Sequence, residues 1–277
     1  MNAEKKRVFI TVKTYPNISD KYAELVCTAG ILEDGTWIRL YPVPFRLLKK
    51  EQQYKKYTWI NVEATRSSKD FRNESYRPIL SSLTVETGPS KPDWDERRRI
   101  ILENGEVFTN LQTIIDKAKT EKMSLATFKP TKIIDFVATL DALDWDAQKL
   151  ANLQMQSQQM SLFDTAEEVE AEFRAVRKIP YRFYYLFEDD AGKKSRLMIE
   201  DWEIGMLYLH CLESANGDEK IAIEKVKEKY FGEFLKKDLY FFLGTTLKHH
   251  NVSRNPFIII GVFCPPPLSP NEQLKLF

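Results

Sequence analysis

Hydrophobic and polar residues alternate from Val8 to Tyr15. Val8, Ile10 and Val12 fall on one side and Phe9, Thr11, Lys13 and Tyr15 on the other, which predicts a strand that Pro16 ends. An apolar run from Leu25 to Leu32 predicts a second strand. Asp34-Gly35 supplies tight-turn residues, and Trp37 to Val43 returns as a third strand. Further strands are expected from Tyr57 to Ala64 and, on a weaker pattern, from Ile79 to Glu86.

The period then changes. Asp93-Trp94-Asp95-Glu96 has capping-box spacing, with Gly105 where a helix would stop. Thr109 and Gln112 repeat that spacing, and Leu111, Ile114, Ile115 and Ala118 follow at helical intervals. Thr131 to Leu140 predicts a strand and Trp145 to Met155 a helix, after which residues 156–172 turn Gln-, Ser- and Glu-rich. Tyr181, Phe183, Tyr185 and Phe187 restart a strand pattern, and the Asp189–Gly192 turn leads back through Ser195 to Ile199. Asp201 caps a helix with Ile204, Leu207, Tyr208, Cys211 and Leu212 on one face. Gly217-Asp218 opens another, bearing Ile223, Val226, Tyr230 and Phe234. Two very apolar strands close the pattern, Leu239 to Thr246 and Phe257 to Phe263, before Pro265-Pro266-Pro267. Gly244 and Gly261 interrupt these strands as glycines do where a small barrel bends.

Each half thus reads as strands, then helix, then strand. The expected fold is α+β and β-rich: two small OB-like β-barrels joined by a helical segment and a polar linker. The boundaries are 1–155 for the first barrel with its helical segment, 156–174 for the linker, 175–267 for the second barrel with two helices, and 268–277 for a tail.

The stretches Lys13-Thr14-Tyr15-Pro16, Val26-Cys27-Thr28-Ala29-Gly30-Ile31 and Trp37 to Arg46 resemble the bacterial dual OB-containing domain family, as does Ile260-Gly261-Val262-Phe263 with its prolines. The resemblance covers most of the chain. It implies two OB-like barrels and a nucleic-acid repair or defence setting, with no established catalytic residues.

Composition narrows the classes. The chain has 277 residues, 43% hydrophobic and 29% charged, as expected of an ordinary globular protein. No run approaches the roughly 18 apolar residues of a membrane span. The charged start from Met1 to Arg7 does not resemble a signal peptide, and the distant Cys27, Cys211 and Cys264 suit reduced thiols, so a cytoplasmic location is expected. Net charge is only +1, but it is polarised. Arg39 to Arg77 carries ten basic residues against four acids, whereas Ile101 to Phe173 carries six against thirteen. A basic surface on the first half follows.

That surface gives the third strand its interest. Alternation puts Trp37, Arg39 and Tyr41 on one face and Ile38 and Leu40 on the other. Aromatic, cation, aromatic is the order of a platform on which bases of a single strand stack. Lys13 and Tyr15 end the first strand beside it, and Arg46, Lys49, Lys50, Lys55 and Lys56 could track a phosphate backbone. The competing reading has Trp37 and Tyr41 packed in a core and Arg39 paired with an acid.

A second signal occurs twice. Gln273-Leu274-Lys275-Leu276-Phe277 and Gln159-Met160-Ser161-Leu162-Phe163 resemble the pentapeptide by which bacterial repair proteins hook onto the β sliding clamp. Leu and Phe would fill an apolar pocket while Gln supplies directional hydrogen bonds. The copy after the prolines is expected to be a free, extendable tail and the stronger hook; the inner copy could dock on its own protein.

Catalysis is poorly signposted. Asp135, Asp141, Asp144 and Asp146 cluster, but their spacing suits strand exit and helix capping. His210-Cys211 and His249-His250 lack the paired spacing of a zinc site. No catalytic residue, metal or cofactor is assigned. The leading expectation is a non-enzymatic adaptor that binds single-stranded or distorted nucleic acid and is tethered to the clamp. Its rivals are a metal-dependent enzyme on nucleic acid or nucleotides and a protein-only scaffold.

Overall fold

The computed structural model describes residues 2–16, 26–88, 93–145, 147–148, 151 and 177–268. Five strands form a closed barrel: β1 (Glu4–Lys13), β2 (Val26–Ile31), β3 (Trp37–Val43), β4 (Trp59–Arg66) and β5 (Ser75–Val85). Their order is β1-β2-β3-β5-β4. Antiparallel pairing of β1 with β4 and parallel pairing of β3 with β5 complete the ring. This is the five-stranded Greek-key arrangement of an OB fold. Alternation decides what lies inside: Val8 and Ile10, Ile38 and Leu40, and Ile60, Val62 and Ala64 share the barrel core. The intervening Phe9, Trp37 and Trp59 point outward into a second cluster.

The weakly patterned fifth strand begins at Ser75, four residues before its apolar signal. Pro78 and the Ser81-Ser82 pair dilute the alternation there, and the pairing with β4 slips between Asn61 and Glu63. The Glu63 amide donates to Ser82 Oγ across this irregularity at 2.8 Å.

The remaining strands are β6 (Val107–Phe108), β7 (Leu125–Phe128), β8 (Lys132–Leu140), β9 (Tyr181–Glu188), β10 (Lys194–Ile199), β11 (Tyr240–Thr245) and β12 (Phe257–Phe263). They form one seven-stranded sheet in the order β6-β7-β11-β12-β10-β9-β8. Helices α1 (Trp94–Arg98), α2 (Leu111–Glu121), α3 (Trp202–Ser214) and α4 (Glu219–Lys227) complete the α+β layout. Asn110, Asp201 and Asp218 cap α2, α3 and α4 through their side-chain oxygens.

The expected second barrel is therefore a sheet. Phe241 and Leu243 of β11 join the helices and β9 in one core, while Phe242 faces the barrel with Phe9, Val12 and Ile31. Both faces of β11 and β12 are covered, one by helices and one by the barrel. That is why these strands read as continuous apolar runs, the pattern of strands buried on both sides. Gly244 also has a different reason from a barrel bend. A Cβ there would lie 2.7 Å from Ile260 Cδ1, so the glycine admits its cross-strand neighbour. Residues 107–140, grouped by sequence with the first half, supply three strands of this sheet. The expected linker and most of the expected 145–155 helix lie outside the described residues.

Barrel and sheet meet across a polar contact as well as an apolar one. Lys56 precedes β4 and reaches Asp201 at 3.1 Å and Glu203 at 2.8 Å, at the start of α3. Trp202 sits beside them, edge-on to Phe45 of the barrel at 5.7 Å.

Candidate functional site

A cavity of about 400 Å³ opens where the outer face of β2–β3 and the β4–β5 loop (67–74) approach β11 and β12. Arg39 and Tyr41 reach it from β3, Lys69 and Arg72 from the loop, Tyr76 from β5 and Thr245 from β11. Strands 2–3 and the β4–β5 loop are the surfaces with which OB barrels hold oligonucleotides. Here the second sheet covers part of that surface, so an open face becomes a cleft.

Arg39 is 2% exposed. Its Nη1 donates to Ser124 Oγ at 2.7 Å and Ser75 Oγ at 3.2 Å, and its Nη2 to the Ser124 carbonyl at 3.2 Å. Ser124, just before β7, passes the interaction on: its amide and hydroxyl donate to Glu74 at 2.9 and 2.7 Å. The guanidinium thus has no carboxylate at ion-pair distance among the described residues. Burial pulls its pKa down, the mark of a desolvated cation. Arg72 is held differently. Its Nε and Nη2 form a two-pronged pair with Asp70 at 2.9 and 2.6 Å, and Nη1 donates to the Thr245 carbonyl. Burial acts to raise the Asp70 carboxyl, but the bonds from Arg72 and Ser75 outweigh it and leave the pKa at about 2. Lys69 is exposed and has no partner among the described residues.

Glu200, between β10 and α3, lines the same cavity from the sheet side. The residue is half-buried, and burial raises its carboxyl above the usual glutamate range, with only Arg182 acting against the shift. Its amide donates to the Ile259 carbonyl at 2.7 Å, while its carboxylate makes no hydrogen bond or ion pair with a described residue. Three cations and two carboxylates therefore line the cleft, a net charge of +1. Tyr15, Glu200, Thr246 and Ile258 also border a second cavity of about 640 Å³, which extends to Trp145, Lys178 and Arg182.

The sequence-predicted residues divide. Trp37, Arg39 and Tyr41 do share one face of β3, but that face does not form an exposed stacking platform. Trp37 packs edge-on against Phe242 at 5.4 Å and Arg39 is buried; Tyr41, 45% exposed, reaches the cleft at the open end. Covering this face hides apolar area that water would otherwise meet. Tyr15 lies over Gly205 of α3, where any Cβ would strike its ring, and donates its hydroxyl to the Arg177 carbonyl at 2.7 Å. Lys13 is turned inward, 4.3 Å from the Phe45 ring centre, and donates to the Tyr54 carbonyl at 3.3 Å. Lys56 is committed to Asp201 and Glu203 and does not track solvent. Arg46, Lys49, Lys50 and Lys55 are exposed between β3 and β4, away from the cleft lining. Gln159, Met160, Leu162 and Phe163, and Gln273, Leu274, Leu276 and Phe277, lie outside the described residues.

Sequence reasoning missed Ser124 and Glu200 and read Lys69 and Arg72 only as part of a basic run. The signal that could have singled them out is the charge order Lys69-Asp70-Phe71-Arg72 between two strands of one barrel. The aspartate cluster is dispersed by its pairings: Asp141 meets Lys178 at 3.2 Å and Arg182 at 3.0 Å, and Asp135 meets Lys227 at 3.5 Å. His250 is buried between Thr245 Oγ1 at 2.8 Å and the Ala118 carbonyl at 3.0 Å. No helix among the described residues is long and apolar enough to cross a membrane.

No curated protein matches the chain. A solved structure of a murine DNA-binding protein bound with double-stranded DNA aligns with 96% of this chain and 98% of its own. Its identity is 10% and its TM-score 0.29. Residues 4–103, the barrel with α1, match the family described as domain of unknown function DUF8758. Residues 107–277 match the family described as domain of unknown function DUF8757, which spans the sheet and more than half the sequence, and to that family the chain belongs.

Proposed function

We propose that the protein binds single-stranded or distorted nucleic acid in the cleft between barrel and sheet. One observation carries the reading. The cavity lies on the OB surface formed by β2–β3 and the β4–β5 loop, and it is edged by Arg39, Lys69 and Arg72. Arg39 and Arg72 are fixed by neighbouring groups, so their positive field is oriented before a ligand arrives. Lys69 adds an exposed cation that can meet phosphate, and the exposed ring of Tyr41 offers a surface for base stacking. Salt-dependent binding of a fluorescent single strand, weakened when Lys69 and Tyr41 are changed to alanine, tests this reading.

Tethering is the second part of the proposal. Gln273 to Phe277 has the Gln, aliphatic, Leu and Phe pattern of a β-clamp-binding peptide, and Gln159 to Phe163 repeats it. A clamp-tethered nucleic-acid binder would work in DNA repair or defence, the setting that the resemblance to dual OB-containing proteins implies.

A further inference from the structure

The second sheet changes what an OB surface can hold. In an open barrel, strands β2 and β3 could carry several stacked bases in a row. Here Phe242 covers Trp37, and Ser124 with Thr245 covers Arg39, so the middle of that row is closed. What remains is a pocket of about 400 Å³ at the Tyr41 end, within the roughly 300–1,000 Å³ of small-ligand sites. An extended strand does not fit such a pocket along its length, but one unit of it does.

The lining is also divided by chemistry. On the barrel side stands Lys69, whose exposed ammonium suits phosphate oxygens, with the buried Arg39 and Arg72 adding positive field rather than free donors. On the sheet side stands Glu200, the cavity carboxylate with no hydrogen bond or ion pair to a described residue. Asp70, the other acid, has both oxygens engaged by Arg72. Half-buried and without donors among the described residues, the Glu200 carboxylate is open to donors that a ligand brings. Base edges carry such donors in the form of ring N–H and exocyclic amino groups.

Resting on the nucleic-acid reading above, we propose that the cleft captures one unstacked nucleotide, with its phosphate toward Lys69, in the positive field of Arg39 and Arg72, and the donor edge of its base toward Glu200. Guanine matches the two carboxylate oxygens best, because its adjacent N1–H and N2–H groups can donate to both. Thymine offers a single ring N–H and no amino group. Glu200 is then the group that distinguishes bases, and the cations hold any nucleotide alike.

Calorimetric titration with guanosine and thymidine 5′-monophosphates, beside a short single-stranded oligonucleotide, tests the proposal. Wild type is expected to prefer the guanine nucleotide about tenfold. Glu200→Gln, which keeps the side chain's size, is expected to remove most of that preference while thymidine monophosphate binds as before. Thermal unfolding of the same variant separates a lost contact from a lost fold. Oligonucleotide binding without mononucleotide binding, or a base preference untouched in a folded Glu200→Gln protein, would overturn the single-nucleotide proposal and leave the broader reading standing. Absence of both kinds of binding would overturn the two together.

Discussion

The Lys56 ammonium lies 3.1 Å from the Asp201 carboxylate, with 5% and 0% of the two side chains exposed, and the bond joins the barrel to the first turn of α3. Burial opposes charge on Lys56, but Asp201 and Glu203 outweigh it and hold the ammonium charged. Burial likewise raises the Asp201 carboxyl, against the pull of Lys56. Each partner therefore depends on the other. Lys56→Met is expected to cost about 3–5 kcal/mol, because it strands a buried carboxylate. The double change Lys56→Met with Asp201→Asn is expected to recover part of that loss, giving a clear coupling energy in denaturant unfolding. Additive losses would mean that the pair does not hold the two units together.

Lys13 presents the opposite case. Burial is the main cause that lowers its pKa to about 8, Lys56 adds to the shift, and Glu203 and Asp201 oppose it. A lysine lowered on folding gives up its proton first in the folded state, so the unfolded chain binds more protons between about pH 8 and the ordinary lysine value of about 10.4. Its contribution to stability therefore rises with pH across that window. Lys13→Met is expected to stabilise the protein at pH 7 by about 1–2 kcal/mol, reduced from the full shift by the side chain's remaining exposure. It should also remove the rise in stability that Lys13 contributes between about pH 8 and 10.4. A destabilised Lys13→Met protein whose stability changes with pH across that window as the wild type's does would contradict this assignment.

Removing Gln273 to Phe277 is expected to abolish capture by immobilised β sliding clamp, whereas alanine at Leu162 and Phe163 should weaken it less. Surface plasmon resonance with both variants and the full chain decides between them. Full binding after loss of the last five residues would end the tether proposal.

The barrel was legible because its strands are covered unequally. Ile38 and Leu40 enter the core while Trp37, Arg39 and Tyr41 leave it, so alternation survives in the sequence. The sheet was harder to read. All four residues of β7 are buried, in a strand paired to β6 and β11, and a short run with no exposed face carries no period. Without β7 there was no sign that Ser124 would meet Arg39, 85 positions earlier in the chain. The face of β3 was assigned correctly, but not what covers it: Trp37 needed Phe242 opposite, a partner more than 200 residues away. Local pattern tells which side chains leave the barrel and is silent on whether water or a second sheet receives them.

The central claim is that nucleic acid enters the cleft beside Lys69 and Tyr41. Fluorescence anisotropy of a labelled single strand, titrated at several salt concentrations, tests it most directly. The wild type is predicted to bind with a steep salt dependence. Lys69→Ala is predicted to weaken binding several-fold and lower the salt slope by roughly one, Tyr41→Ala to weaken it with the slope unchanged, and Lys49→Ala with Lys50→Ala to matter little. Binding that survives the loss of Lys69 and Tyr41 but fails without Lys49 and Lys50, or no salt-dependent binding at all, would contradict the account.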